Sequence, residues 1–167
     1  MTSFPANYLL RPAKQSDLPA IHQLMWDMAV FEQLTDIFKA TPESLQQSFF
    51  QEPVSAHCLV ITTTAAPDKP IAYIMWYFNY SSFLDKRGLY LEDIYIDPAH
   101  RGQGLGSAVL KHLASLAKDN DCGRFEWVVL DWNQNAIDFY ERHGAQILPD
   151  WRIVRLSDEA LDKLATV

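Results

Sequence analysis

The spacing of apolar residues in the first third of the chain changes from that of a strand to that of helices. Tyr8 to Arg11 predicts a strand that Pro12 ends. Ser16 can then cap a helix, because the apolar positions behind it would share one face: Leu18, Ile21, Leu24, Met25 and Met28. Thr41 and Pro42 predict a second short helix, since they supply a cap and a proline at its first position.

The middle of the chain is rich in β-branched and aromatic residues and predicts three strands. His57 to Thr63 and Ile71 to Tyr80 should form an antiparallel hairpin joined by a turn at Pro67 to Pro70. A polar connection, Ser81 to Gly88, leads into the third strand, Tyr90 to Ile96. The aromatic side chains of the second strand are most simply interpreted as sheet packing.

A glycine-rich turn follows the third strand and opens a helix. Gly102, Gly104 and Gly106 stand at its start, and its apolar stripe is Leu105, Val109, Leu113 and Leu116. The first amides of a helix lack intrahelical partners and carry partial positive charge, so this turn predicts a phosphate site. Arg101 adds a guanidinium that can bind phosphate oxygens in a fork.

The last third of the chain predicts further alternation of strands and helices. The strand Arg124 to Leu130 should lie parallel to Tyr90 to Ile96, because the helix between them forms a right-handed crossover. Asn133 or Asn135 can cap a helix that ends at Gly144. Beyond it the pattern predicts a short strand near Gln146, a strand from Trp151 to Leu156 and a terminal helix from about Ser157.

Composition and charge narrow the class of protein. The 167 residues, 49% hydrophobic and 21% charged, predict a single domain spanning 1–167. A net charge of −7 argues against a nucleic-acid or anionic-membrane surface and favours cationic ligands. Cys58 and Cys122 are expected to be free thiols, and the five histidines show no ligand spacing, so no metal site is predicted. Without a leader or a long apolar run, we expect a cytoplasmic protein.

Two motifs in succession carry a resemblance to a known family. The first is Arg101-x-x-Gly104-x-Gly106, and the second, one strand later, is Asn133-x-x-Ala136-x-x-Phe139-Tyr140-x-x-x-Gly144-Ala145. Together they resemble the GNAT superfamily of N-acetyltransferases. Within it the chain is similar to the diamine (spermidine/spermine) acetyltransferases, through segments such as Leu10 to Ala13, His57 to Val60, Tyr90 to Asp93 and Trp151-Arg152.

This resemblance implies an α/β fold with a central mixed sheet, splayed at two parallel strands, and helices on both faces. Acetyl-CoA would lie in the cleft between those strands. The backbone of Ile94, Tyr95 and Ile96 would pair with its pantetheine arm. Its pyrophosphate would sit on the amides of Gln103, Gly104, Leu105, Gly106 and Ser107, and Arg101 and Gly102 would also bind the cofactor. Asn133 and Arg142 would also contact the cofactor, although Glu141 and His143 flank Arg142 where a more basic run is typical of the family.

Acetyl transfer to an amine has three chemical requirements. The ammonium must lose a proton, for which Glu92 is the candidate base, with Asp93 orienting the amine. In a regular strand Leu91, Asp93 and Tyr95 would face away from Glu92 unless a bulge intervened. The Ile94 amide could stabilise the oxyanion. Tyr140 resembles the family's general acid for the leaving thiolate.

Several acceptors and one non-catalytic function are consistent with these residues. A polyamine tail would find Glu32, Asp36 and Trp151 through charge and cation–π contact. A lysine-like amino acid, such as thialysine, or a protein amine is the alternative, and a positive side chain in the acceptor channel would favour it. A non-catalytic acyl-CoA-binding module is the third hypothesis. The resemblance also implies a homodimer.

Overall fold

The structure of the protein is a computed structural model that describes residues 4–166. The chain forms two compact units, the first up to Val128 and the second from Val129. A five-stranded sheet and three α-helices make up the first unit, and the second contains two α-helices.

The sheet of the first unit is mixed, as predicted. Its strands, in spatial as in chain order, are β1 (Tyr8–Pro12), β2 (His57–Thr63), β3 (Ala66–Ser81), β4 (Lys86–Ile96) and β5 (Arg124–Glu126). Neighbouring strands pair antiparallel except β4 and β5, which are parallel. The predicted crossover from β4 to β5 is therefore confirmed.

The helices of the first unit are α1 (Leu18–Glu32), α2 (Pro42–Phe50) and α3 (Leu105–Asp119). Thr41 caps α2 as predicted, with its hydroxyl accepting from the Ser44 amide at 3.2 Å. The predicted Ser16 cap of α1 is wrong. The Asp17 carboxylate binds the Arg11 guanidinium at 2.6 and 2.9 Å, which holds a 3₁₀ turn over Gln15–Asp17 and starts α1 only after Asp17.

The two faces of the sheet carry separate parts of the core. Tyr73 and Tyr95 belong to a buried cluster on one face, which α1 and α2 cover with Leu18, Ile21, Leu24, Leu45 and Phe49. The other face of the sheet carries three fully buried residues, Ile74, Leu89 and Leu91. Helix α3 contacts strands β4 and β5. Burial on both faces explains the near-continuous apolar run of β3.

Three boundaries in the sheet differ from the predictions. The β2–β3 turn lies at Thr64 and Ala65, while Pro67 to Pro70 belongs to β3, because Thr63 pairs with Ala66 and Thr62 with Pro70 across an irregularity. The connection before β4 is shorter than Ser81 to Gly88, since the polar residues Lys86 and Arg87 already pair with Ser81 and Tyr80. The predicted strand Arg124 to Leu130 ends at Glu126, where its pairing with β4 stops.

The second unit consists of α4 (Gln134–Arg142) and α5 (Asp158–Ala165). Asn133 caps α4 by accepting from the Ala136 amide at 3.3 Å, and Gly144 follows the helix with a positive φ of 85°. The strands predicted near Gln146 and from Trp151 to Leu156 do not form. A strand needs a partner for its backbone groups, and the described part of this unit contains no other strand to supply one.

Candidate active site

Strand β4 carries a bulge at Glu92, which reverses the predicted alternation. Asp93 lies opposite Met75 and Leu91 opposite Trp76, so Glu92 has no partner on β3. Asp93 therefore shares a face with Tyr73 and not with Leu91, contrary to the expectation for a regular strand. The extra residue leaves Glu92 exposed while it turns Asp93 toward the face that α1 covers.

Asp93 is half-buried and hydrogen-bonded on that face. The Tyr73 hydroxyl lies 3.3 Å from Asp93 Oδ2 and 3.1 Å from the sulfur of Met28 on α1. Burial, and next the charge of Glu92, raise the pKa of Asp93 to about 6, although the hydrogen bond from Tyr73 opposes the shift. A carboxyl group with such a pKa exchanges its proton near neutral pH.

A cavity of about 230 Å³ opens beside this carboxyl group, and we call it the α1 cavity. Its lining combines a buried apolar floor with both signs of charge, and includes Met25, Met28, Glu32, Lys39, Tyr73 and Asp93. Burial raises the pKa of Glu32, at the end of α1. Lys39 lies in the connection between α1 and α2. The residues that line the cavity therefore include two acidic residues and one lysine.

A larger cavity of about 290 Å³ lies elsewhere in the first unit, at the start of β2. It is lined by Pro12, Phe49, His57, Cys58 and Trp76, among others, and none of its lining residues is acidic. It lacks a carboxylate that could take a proton from an amine or bind an ammonium group. Of these two cavities, only the α1 cavity is lined by carboxyl groups that could bind an ammonium group.

The glycine turn has the geometry of an anion site. Gly102 and Gly104 have φ of 75° and 78°, and no atom lies within 4 Å of the position that a Cβ would take on either. Gly104 is the N-cap of α3, so no side chain caps the first turn of that helix. The amides that open α3 at Leu105, Gly106 and Ser107 thus begin a 15-residue helix beside an uncrowded turn.

Arg101 of that turn is held in place by three contacts. Its Nε donates to the Ile96 carbonyl at 2.8 Å, and its guanidinium carbon lies 5.6 Å from the centre of the Phe31 ring and 5.3 Å from that of Tyr95. These contacts tie the turn to the end of α1 and the end of β4. The arginine therefore has a structural function in addition to any contact with a phosphate.

The edge of β4 beyond the bulge is left without a neighbouring strand. In the described chain β5 pairs with β4 only from Gly88 to Tyr90, whereas β3 continues on the other side as far as Ile96. Ile94, Tyr95 and Ile96 thus present an edge at which an extended ligand could pair as a strand. This early end of the parallel pairing is the splaying that was predicted.

The remaining predicted residues have different environments. In the second unit Tyr140 is 8% exposed on α4, Arg142 lies in the last turn of that helix, and Trp151 is 76% exposed. Asn133 uses its side-chain oxygen to cap α4. In the first unit Asp36 is exposed in a 3₁₀ turn (Thr35–Ile37) and does not line the α1 cavity.

Sequence reasoning missed three residues of the α1 cavity. Met28 was assigned to the apolar stripe of α1, and Tyr73 was interpreted as sheet packing. A hydroxyl in the middle of a buried strand needs a hydrogen-bond partner, and this requirement could have drawn attention to Tyr73. Lys39 belongs to no motif, so no local signal identified it.

Solved structures share this architecture. An integron cassette protein from V. cholerae superposes with a TM-score of 0.79 at 19% identity, covering 96% of this chain and 99% of that one. An acetyltransferase from Trypanosoma brucei gives a TM-score of 0.70 at 19% identity, with 90% and 99% covered. The mixed sheet with its splayed parallel pair is thus the fold of acyl-CoA-dependent N-acyltransferases.

The chain belongs to the acetyltransferase (GNAT) family, whose model matches residues 18–145. It is 39% identical to a thialysine N-epsilon-acetyltransferase from Sus scrofa, over 96% of this chain and 98% of that protein. It is 34% identical to an L-ornithine N5-acetyltransferase from Arabidopsis thaliana, with 93% and 86% covered. A spermidine/spermine N(1)-acetyltransferase-like protein from Homo sapiens is 31% identical over 95% of this chain and 24% of its own length. The protein is an acetyl-CoA-dependent N-acetyltransferase.

Among residues 4–166 no group of three or more His, Cys, Asp or Glu side chains is arranged to hold a metal ion. No helix in the same part of the chain has the length and apolar character needed to cross a membrane.

Proposed function

We propose that the protein transfers acetyl from acetyl-CoA to the side-chain amine of a small amino acid that resembles lysine or ornithine. The observation that supports this acceptor is Lys39, which lines the α1 cavity together with Glu32 and Asp93. An α-carboxylate would bind near the Lys39 ammonium group, while the cationic amine would bind near the two acidic groups. The printed activities of the thialysine and ornithine relatives are consistent with such an acceptor.

The proposed chemistry begins with removal of a proton from the acceptor ammonium. We propose that Asp93 takes this proton and that Glu92, which is exposed on the bulge, passes it to water. An aliphatic ammonium has a pKa near 10. The rise of the Asp93 pKa from 3.8 to about 6 shortens the uphill transfer by roughly 2 units, or about 3 kcal/mol.

The residues of the glycine turn and of β4 fit a CoA thioester, which supplies the activated acetyl group. In our proposal the amides of Gln103 to Ser107 bind the pyrophosphate, with Arg101 beside them, because Gly102 and Gly104 leave the turn open to it. The Ile94 to Ile96 edge would hold the pantetheine arm.

Three residues of the second unit have proposed roles that follow from the family's second motif. Tyr140 would protonate the departing sulfur, and Arg142 would contact the 3′-phosphate of CoA. Asn133 would position the start of α4, since its side chain caps that helix. The match of one family model across both units, residues 18–145, supports our proposal that 1–167 is a single acetyltransferase domain.

A polyamine is the second candidate acceptor. Glu32 and Asp93 in one cavity, and the net charge of −7, would attract a polycation, and Asp36 and Trp151 could bind its far end. The relation to a spermidine/spermine acetyltransferase-like protein is consistent with this acceptor. Lys39 would oppose it by charge.

We also propose that the protein is a cytoplasmic homodimer. Apolar side chains of the second unit are exposed, including Trp151 at 76% and Val154 at 92%, and a second copy of the chain could cover them. The free thiols of Cys58 and Cys122 fit a reducing compartment. Light scattering during size-exclusion chromatography tests the dimer, and a mass of one chain at micromolar concentration would refute it.

Release of CoA thiol with a panel of amines tests the proposed acceptor. The panel should contain lysine, thialysine and ornithine, the polyamine spermidine, and a peptide with a free lysine amine. Mass spectrometry of each product locates the acetyl group. Acetylation of the side-chain nitrogen of a free amino acid is the expected result. Preference for spermidine would favour the polyamine hypothesis, preference for the peptide would favour a protein acceptor, and tight CoA binding without turnover would indicate a non-catalytic module.

A further inference from the structure

Three side chains from three elements form a chain of contacts at the floor of the α1 cavity. Met28 comes from α1, Tyr73 from β3 and Asp93 from β4. The Tyr73 oxygen stands between the other two, 3.1 Å from the Met28 sulfur and 3.3 Å from Asp93 Oδ2. Tyr73 is 1% exposed, so most of its side chain is fixed by packing.

The Tyr73 hydroxyl has one proton and two acceptors within reach. When Asp93 is ionised, its carboxylate is the stronger acceptor and receives the proton. When Asp93 is protonated, it becomes a donor itself, and the Tyr73 oxygen can accept from it. The Tyr73 proton is then free to turn toward the Met28 sulfur, which is a weak acceptor. Both protonation states of Asp93 are thereby hydrogen-bonded.

We propose that Tyr73 and Met28 are positioning residues that allow Asp93 to gain and lose a proton in each turnover, through rotation of the Tyr73 hydroxyl between the carboxyl group and the sulfur. The proposal deepens the proposed function, because Asp93 is there the group that accepts the proton. An N–H bond of the acceptor ammonium breaks and an O–H bond forms on Asp93. The freed nitrogen lone pair forms the C–N bond of the amide as the C–S bond of the thioester breaks, and the second proton that the nitrogen loses ends on the departing sulfur, which leaves as the CoA thiol. Asp93 then returns its proton to water through Glu92.

The surroundings of Asp93 are suited to such a cycle. Glu32 on α1, Cys58 on β2, Glu92 on β4 itself and Lys39 before α2 are the other charged or titratable groups near it. Burial and the charges of Glu92 and Glu32 favour the protonated form, whereas the Tyr73 hydrogen bond favours the ionised form. Burial, and next the charge of Asp93, raise the pKa of the Tyr73 hydroxyl well above its usual range, so it remains a donor at neutral pH.

This arrangement predicts opposite effects for two conservative substitutions. Tyr73→Phe removes the donor to the carboxylate and should raise the pKa of Asp93 by about one unit. Met28→Leu removes the acceptor that serves only the protonated state, and should lower the pKa of Asp93 by about a third of a unit. In the Tyr73→Phe background the Met28→Leu change should have no effect. Structural disturbance alone does not produce this pattern.

Carbon-13 NMR of the full-length protein, labelled at its aspartate carboxyl groups, measures the titration of Asp93 directly. Asp93→Asn assigns the signal, and Met25→Leu is the matched control, because Met25 lines the same cavity from the same helix and should leave the titration unchanged. The proposal would be overturned if the pKa of Asp93 moved in the same direction in Tyr73→Phe and Met28→Leu. It would also be overturned if the shift in the double variant equalled the sum of the two single shifts. If Tyr73→Phe does not fold, Met28→Leu alone still tests the proposal, because a pKa of Asp93 that stays constant or rises in this variant would refute it.

The rate profile adds a second readout. The acidic limb of kcat/KM against pH should move upward in Tyr73→Phe and downward in Met28→Leu, in step with the titration. An unmoved limb would contradict the positioning role. The titration needs no acceptor or cofactor, so it tests the hydrogen-bond switch even if every amine in the acceptor panel fails and the proposed function is refuted.

Discussion

Neutralising Lys39 should change which acceptor the enzyme prefers. Ornithine and putrescine are a matched pair, because they differ only in the α-carboxylate that Lys39 is proposed to bind. In Lys39→Met the stem of the side chain is largely kept and the charge is lost. The catalytic efficiency with ornithine should fall, whereas that with putrescine should stay constant or rise, since one repelling charge has left the α1 cavity.

The size of this effect follows from the exposure of Lys39. Two unit charges 4 Å apart attract by about 1 kcal/mol in water and about 4 kcal/mol at an effective dielectric constant of 20. Lys39 is exposed at the cavity rim, and desolvation offsets part of the attraction, so the net value should lie near the lower limit, at about 1.4 kcal/mol. The ratio of kcat/KM for ornithine to kcat/KM for putrescine should therefore fall about tenfold.

Steady-state thiol release with both amines, at low and high salt, measures that ratio. Lys39→Arg keeps the charge and should retain most of the preference, and Lys69→Met, at an exposed position on β3, controls for the change in net charge. The wild-type ratio should also decrease with salt because the pair is exposed. Equal losses with both amines, or no change in either, would refute the assignment of Lys39 to carboxylate binding.

Three further predictions concern the cofactor, the leaving group and stability. Tyr140→Phe should lower kcat by about tenfold or more, because the departing sulfur loses its proton donor, while calorimetry should find the affinity for CoA unchanged. Unaltered turnover would show that Tyr140 is not the general acid. Gly104→Ala places a side chain at a φ of 78° and should cost about 1 kcal/mol of stability and weaken CoA binding. Asp17→Ala should cost about 2 kcal/mol in urea unfolding, because it removes the buried carboxylate that accepts from the half-buried Arg11 guanidinium and from the Lys14 amide, and replacing both Arg11 and Asp17 by Met should recover part of this. Burial raises the pKa of Asp17, but the hydrogen bonds from Arg11 and from the Lys14 amide outweigh it and hold that pKa below its usual value. The stabilisation by Asp17 is therefore present above about pH 4 and is lost as the pH falls through the folded-state pKa. A pH-independent difference in stability between wild type and Asp17→Ala would contradict this.

The sequence predicted the fold correctly where residues a few positions apart are enough to determine a helix or a strand. The Thr41-Pro42 start of α2 and the strand His57–Thr63 are as predicted, because a cap, a proline and β-branched residues act within a few positions. Trp151 to Leu156 was also predicted to be a strand, yet it forms none. Pairing depends on a neighbour that is distant in sequence, and no pattern inside the segment specifies it.

The site shows the same division between local and distant causes. The glycine turn was predictable because its φ angles and its helix start are properties of consecutive residues. The bulge at Glu92 was not, since it follows from the register of β4 against β3, and it decides that Asp93 faces α1. Lys39 lines the α1 cavity because the connection between α1 and α2 passes beside it. The path of this connection cannot be inferred from the spacing of residues in the sequence.

The selectivity of the unmodified enzyme between an amino acid and its decarboxylated counterpart tests the central proposal most directly. Competition between ornithine and putrescine for limiting acetyl-CoA, with both products quantified by mass spectrometry, gives the ratio of kcat/KM values in one reaction. We expect N-acetylornithine, acetylated at the side-chain nitrogen, to predominate. A mixture dominated by N-acetylputrescine would contradict the proposed acceptor and would identify the enzyme as a diamine acetyltransferase.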